Sequence, residues 1–133
     1  MKISVITVSY NSQMCIGKTI DSVNKQTYQN VEHVFIDGAS QDKTLDIISG
    51  TSQRHNILIS EPDKGVYDAM NKGLERATGD IICFLNSDDF FMDDEVLEDV
   101  ALEFANAKVN YIWGNVLFVD RINTDKVKRY WKS

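Results

Sequence analysis

Proline and cysteine are nearly missing from this chain, and so is any long apolar run. A single Pro and 7 Gly among 133 residues exclude collagen-like or low-complexity character. The two cysteines, Cys15 and Cys83, stand far apart, each inside an apolar stretch. They exclude a disulfide scaffold, and with no Cys or His at ligand spacing they exclude a zinc site; both read as reduced core residues. No stretch approaches the ~20 apolar residues of a membrane span. The strand-like run that starts at Ile3 leaves no room for a signal peptide, so the expected compartment is the cytoplasm. Basic residues are also few. With 14 Lys+Arg against 20 Asp+Glu, the net charge of −6 argues against nucleic acid, whose phosphates need clustered Lys and Arg. A small cation is the more natural partner.

What is present is an ordinary globular composition, 43% hydrophobic and 26% charged. At this length one domain over residues 1–133 should bury roughly two-thirds of its unfolded surface, enough for a core. Ile3 to Val8 is a β-branched run of strand length, ended by Ser9-Tyr10-Asn11. Ile16, Ile20 and Val23 then fall on one helical face. Val31 to Ile36 predicts a second strand ended by Asp37-Gly38, and Leu45, Ile47 and Ile48 a second helix. Ile57-Leu58-Ile59 predicts a short third strand. The positions Ala69, Met70, Gly73, Leu74 and Ala77 have helical spacing, and Gly79 follows as a stop. Ile81 to Leu85 is the most continuous apolar run and predicts a strand buried on both faces. Val96 to Ala105 predicts a fourth helix, and Tyr111 to Val119 a fifth strand.

Alternating strands and helices require parallel pairing through right-handed crossovers. The expected fold is a Rossmann-like α/β sheet, mostly parallel, with helices on both faces and the first strand central. Ligands bind such sheets beyond the carboxyl ends of the strands. Polar clusters sit there in this chain: Ser9-Tyr10-Asn11, Asp37-Gly38-Ala39-Ser40 and Asn86-Ser87-Asp88-Asp89.

The last cluster carries the sharpest chemistry. A hydrophobic strand delivers Asp88 and Asp89 side by side, and like charges about 4 Å apart repel by about 4 kcal/mol at an effective dielectric of 20. A shared proton, hydrogen bonds or a bound divalent cation must relieve them, and hard oxygen ligands favour Mg²⁺ or Mn²⁺. The plainer reading is a helix cap or a solvated loop, but Asp93-Asp94-Glu95 already supply acid at the helix start.

Four segments together resemble family 2 glycosyltransferases: Thr-Val-Ser-Tyr-Asn (7 to 11), Ile-Asp-Gly-Ala-Ser-Gln-Asp-Lys-Thr (36 to 44), Gly-Val-Tyr-Asp-Ala-Met-Asn-Lys-Gly (65 to 73) and Phe-Leu-Asn-Ser-Asp-Asp (84 to 89). The stretch from Ser60 to Gly73 is most similar to the bacterial polysaccharide-biosynthesis branch, including colanic-acid-type enzymes. The resemblance implies the N-terminal, nucleotide-binding half of a GT-A fold. It implies that Tyr10 stacks on the nucleobase, Asp37 lies beside base and ribose, Asp88 holds the ribose, and Asp89 binds the Mn²⁺ or Mg²⁺ that bridges the donor's diphosphate. Asp68 would face the donor or acceptor crevice; as a residue pair, Asp68 and Lys72 also read as a surface i, i+4 ion pair. Implied partners are a nucleotide-sugar donor, with UDP-sugars favoured, and a glycan or lipid-linked acceptor, with work at the inner face of the membrane and a homodimer both allowed. Gly38 stands where many members carry a second aspartate that reads uracil, so selectivity between UDP and GDP is expected to be modest. Met70 replaces a common arginine, and Asn86 a third acidic residue of the metal loop.

Other readings leave signatures that are missing here. A receiver domain needs acidic residues after the first strand, and a sugar nucleotidyltransferase needs a Gly-rich phosphate loop there. A nucleotide-sugar-binding module without turnover stays open as the alternative. Family members are inverting enzymes whose general base lies in a later half that holds the acceptor. Asp120 and Asp125 sit in no recognisable base motif, and no catalytic base is identifiable within 1–133. The expectation is a donor-binding half that lacks its acceptor half.

Overall fold

The computed structural model describes residues 1–133 and divides into two compact units, Met1–Ala101 and Leu102–Ser133. The first unit contains β1 (Ile3–Ser9), α1 (Ile16–Asn24), β2 (Val31–Asp37), α2 (Thr44–Thr51), β3 (His55–Ser60), α3 (Val66–Arg76) and β4 (Ile81–Phe84). Helix α4 (Val96–Asn106) starts within it. All four strands are parallel, in the order β3-β2-β1-β4. The chain therefore builds outward from β1 through β2 to β3, then returns across the sheet to add β4 on the other side of β1. No helix is long and apolar enough to cross a membrane.

Every residue of β1 and β2 is buried, as expected of central strands covered on both faces. Side chains alternate between those faces. Ile6, Val8, Val34 and Ile36 meet Ala69 of α3 on one side, with Met70 packed against them. Phe35 meets Ile16 and Ile20 of α1 and Ile48 of α2 on the other. Helix α3 comes so close that a Cβ on Gly73 would lie 2.5 Å from Cγ2 of Ile6. Gly73→Val should therefore cost about 3 kcal/mol through overpacking. Gly50→Ala is the control, because nothing lies within 4 Å of a Cβ at Gly50. Urea denaturation that finds the two variants equally stable would contradict this packing.

Two polar groups are buried inside the central strands. Glu32 is fully enclosed and takes Lys2 Nζ at 2.5 Å, Ser4 Oγ at 2.5 Å, Thr78 N at 2.7 Å and Thr78 Oγ1 at 2.8 Å. Burial alone would raise its pKa, but the Lys2 ammonium and the Ser4 and Thr78 donors hold it at about 2. His33 is equally enclosed, with Nε2 2.9 Å from Thr7 Oγ1 and its ring 3.9 Å from that of Phe35. Desolvation pushes its pKa down to about 3, so the imidazole is neutral.

Two expectations need correction. The apolar run from Ile81 to Leu85 is not buried on both faces. As β4 it is an edge strand paired only with β1, and Ile82 and Phe84 are exposed. The predicted strand from Tyr111 to Val119 does not join the parallel sheet. Its regular part is β5 (Val116–Val119), which pairs antiparallel with β6 (Val127–Trp131) inside the second unit. The turn between them explains why: Asp120 Oδ1 accepts the N–H groups of Ile122 and Asn123 at 2.9 and 3.0 Å, closing a hairpin. These N–H groups, with Lys128, hold the Asp120 carboxyl at about 2. Asp120 is thereby a turn-forming residue.

Candidate functional site

The parallel register brings Ser9, Asp37 and Ser60, the last residues of three strands, side by side. Asp37 is fully buried there and collects four donors: Ser9 Oγ at 2.9 Å, Ser40 N at 2.8 Å, Ser40 Oγ at 2.5 Å and Ser60 Oγ at 2.8 Å. A buried carboxylate needs such partners, and these tie the loops after β1, β2 and β3 into one platform. Asn11 and Ala39 lie in those loops with φ of 46° and 61°, a conformation uncommon for residues with a side chain. Cross-bonds hold them: Asn11 N reaches Ser40 Oγ at 2.9 Å, Gln41 N reaches Asn11 Oδ1 at 2.9 Å, and Ser12 N reaches Thr44 Oγ1 at 2.8 Å. Strained backbone over-determined by its surroundings marks functional loops.

Above the platform, at the carboxyl end of β1 where the strand order reverses toward β4, lies a crevice of about 580 Å³. That size suits a small organic ligand. Ser9, Tyr10, Asn11 and Ser12 line one wall, Asn86, Ser87 and Asp88 another, and Asp63, Gly65 and Val66 a third. Tyr10, 64% exposed, is one of the residues that border this space. Gly65 opens α3 with φ of 112°, which a residue with Cβ would resist.

The loop after β4 is fixed from beneath. Thr19 Oγ1 on α1 lies 3.0 Å from the carbonyl of Ser87 and 2.7 Å from that of Asp89. Ser12 and Ser87 hydroxyls are 2.9 Å apart, and Asp89 N donates to Asn86 O at 3.0 Å. Asp88 and Asp89 take part in no ion pair. Burial, and then the neighbouring Asp88, raise the Asp89 pKa above its ordinary value, while an Asn86 hydrogen bond partly offsets them. No group of three or more His, Cys, Asp or Glu side chains is arranged to hold a metal. Two uncompensated carboxylates fit a divalent cation whose remaining ligands come from water and from an anionic ligand.

The five residues singled out from the sequence therefore fall into two sets. Tyr10 and Asp88 share the crevice, with Asp89 beside them on the same loop. The Asp37 carboxylate lies below, engaged by its four donors, and does not line the crevice. Asp68 lies outside as well. It accepts Lys64 N at 2.9 Å and pairs with Lys72 at 3.5 Å, and the same Lys72 reaches Glu61 at 3.0 Å and Pro62 O at 3.1 Å. The Lys64 N–H, followed by Lys72, holds Asp68 below its ordinary value. The pair thus pins the segment from 61 to 65 that forms the third wall. Asp63 enters the sequence reading only within the Ser60-to-Gly73 stretch, with no role of its own, and Ser12 and Thr19 escape it. Only the Asp-x-Gly spacing of Asp63 and Gly65, an Asx turn with Gly65 N on Asp63 Oδ1 at 2.9 Å, could have drawn attention to the first.

Known proteins resemble this chain in sequence and in fold. The chain is 40% identical over 115 residues to an uncharacterized glycosyltransferase of Mycobacterium tuberculosis, covering 84% of this chain and 44% of that one. It is 32% identical over 135 residues to a PGL/p-HBAD biosynthesis glycosyltransferase of Mycobacterium bovis, covering 90% and 53%. The chain spans about half the length of these curated relatives. Among solved structures, S. aureus TarS (residues 1–349) in complex with UDP-GlcNAc superposes with a TM-score of 0.76 at 27% identity, over 86% of this chain and 37% of that one. A mannosyltransferase from Pyrobaculum calidifontis in complex with GDP-Man and Mn²⁺ gives 0.70 at 25% identity, over 89% and 35%. The sheet and its helices are those of GT-A glycosyltransferases. The family model for Glycosyl transferase family 2 matches residues 4–132, and with the relatives above it establishes that the chain belongs to that family.

Proposed function

We propose that this chain forms the donor site of an inverting glycosyltransferase of bacterial surface polysaccharide synthesis, binding a nucleoside-diphosphate sugar together with Mn²⁺ or Mg²⁺. One observation carries the reading. An Asp88–Asp89 loop that takes part in no ion pair and the exposed Tyr10 border the same crevice at the strand-order reversal. Tyr10 stacks on the base, Asp88 holds the ribose, and Asp89 is the protein's ligand to the cation, with Asn86 steadying its carboxylate. Asp37 keeps the base-binding loops in shape, and Asp68 keeps the third wall in place. The cation, when bound, would offset the diphosphate's charge and stabilise it as a leaving group. The solved neighbours with UDP-GlcNAc and with GDP-Man and Mn²⁺ support this choice of ligand class.

Two carboxylates leave most coordination positions empty, so the cation alone should bind weakly and the phosphates should complete its shell. Calorimetry should find a nucleoside diphosphate bound at least roughly tenfold tighter with Mn²⁺ than with a chelator present. Equal binding in both conditions would remove the cation from the proposal. Hydrolysis of the bound donor separates a transferase site from a binding module without turnover.

A further inference from the structure

The third wall of the crevice contains a carboxylate with one oxygen engaged and one oxygen spare. Asp63 Oδ1 accepts Gly65 N at 2.9 Å, whereas Oδ2 takes no hydrogen bond and no ion pair within the protein. Oδ2 projects over Gly38, 2.8 Å from the point where a Cβ of that residue would stand, and Cδ2 of Tyr10 is 3.5 Å from the same point. Gly38 is not in the left-handed region, so its backbone would accept other residues. What a side chain there would meet is the Asp63 carboxylate. The absence of a side chain at 38 thus leaves a half-buried anionic oxygen beside the aromatic ring that lines the crevice.

We infer that Asp63 reads the edge of the nucleobase stacked on Tyr10, its Oδ2 accepting the imide N3–H of a uracil-type base. This rests on the donor-site reading above and adds its base specificity. A lone acceptor matches an edge with one N–H between two carbonyls. Guanine presents two adjacent donors and is best met by two free oxygens, whereas Oδ1 has one lone pair committed to Gly65 and is fixed in direction by it. Cytosine presents a lone pair at N3, which the carboxylate repels. A charged acceptor left unpaired by the wrong base discriminates strongly. Selectivity is therefore higher than Gly38 alone suggests.

Asp63→Asn tests this with little disturbance of the loop, because its amide oxygen can keep the Gly65 contact. The amide NH₂ then replaces Oδ2 and faces the base. Calorimetry with UDP, CDP and GDP in Mn²⁺ should show the unaltered protein preferring UDP over the other two by roughly tenfold or more. D63N, at an unchanged melting temperature, should lose that preference and favour CDP, whose N3 accepts from the amide. A second variant, G38D/D63A, places a carboxylate in the same space from the other side and should recover the UDP preference. The inference is overturned if D63N keeps the original UDP-to-CDP ratio, or if the unaltered protein prefers GDP. Failure of the unaltered protein to bind any of the three with Mn²⁺ would instead remove the donor-site reading, and this inference with it.

Discussion

Asp89→Asn is expected to abolish the Mn²⁺ dependence of nucleotide binding and to weaken binding of the metal–nucleotide complex about 100-fold, or about 2.7 kcal/mol. Asp88 alone cannot replace the lost charge, because it is the residue assigned to the ribose. The apoprotein should behave in the opposite way. Asp89 has a raised pKa in the folded chain, caused by burial and by Asp88. The unfolded chain therefore releases that proton first, and apoprotein stability declines as pH rises from the ordinary carboxylate value through the raised one. Asn at position 89 carries no such cost, so D89N should melt no lower than the unaltered protein at neutral pH. Metal-dependent nucleotide binding retained by D89N would show that another group is the ligand.

Acid should weaken the fold well before ordinary carboxylates titrate. His33 is neutral in the folded chain, with its pKa down to about 3 from 6.5. Its contribution to stability is complete above the unfolded value and is lost as pH falls, since the unfolded chain takes up the proton first. From pH 7 to pH 5 this one histidine should remove about 2 kcal/mol. Glu32, held at about 2 against an ordinary 4.5, adds a second loss in the same direction below its unfolded value. Urea titrations at pH 7, 6 and 5 should record the first loss. His33→Gln, less stable at neutral pH, should show a flatter slope over that window. An undiminished slope in H33Q would assign the acid sensitivity elsewhere.

Much of this architecture was legible in the sequence because its signals are local. The β-branched run at Ile3, the strand-length apolar segment at Val31 and the spacing of Ile16, Ile20 and Val23 mark strand and helix without help from distant residues. Asp88 and Asp89 could be placed because the strand before them fixes where they emerge. What stayed hidden depends on long-range pairing. Apolar continuity at Ile81 does not reveal that only one neighbour pairs with β4. Nor does the run from Tyr111 reveal the turn at Asp120 that folds it into a hairpin. The four donors around Asp37 stayed hidden because no sequence rule announces that serines 9, 40 and 60 converge on it. The placement of Asp63 is hidden for the same reason, since its neighbour Gly38 lies in another loop.

The Thr19 hydroxyl has a consequence for which ion the proposed site would choose. Its single proton serves one of the Ser87 and Asp89 carbonyl oxygens at a time, and both lie within hydrogen-bond distance of it, turned toward α1. Calcium needs six to eight oxygens, commonly including backbone carbonyls, whereas magnesium is content with one or two carboxylates, phosphate and water. Carbonyls held toward α1 would contribute little to a calcium shell, so the proposed site would favour the smaller ion.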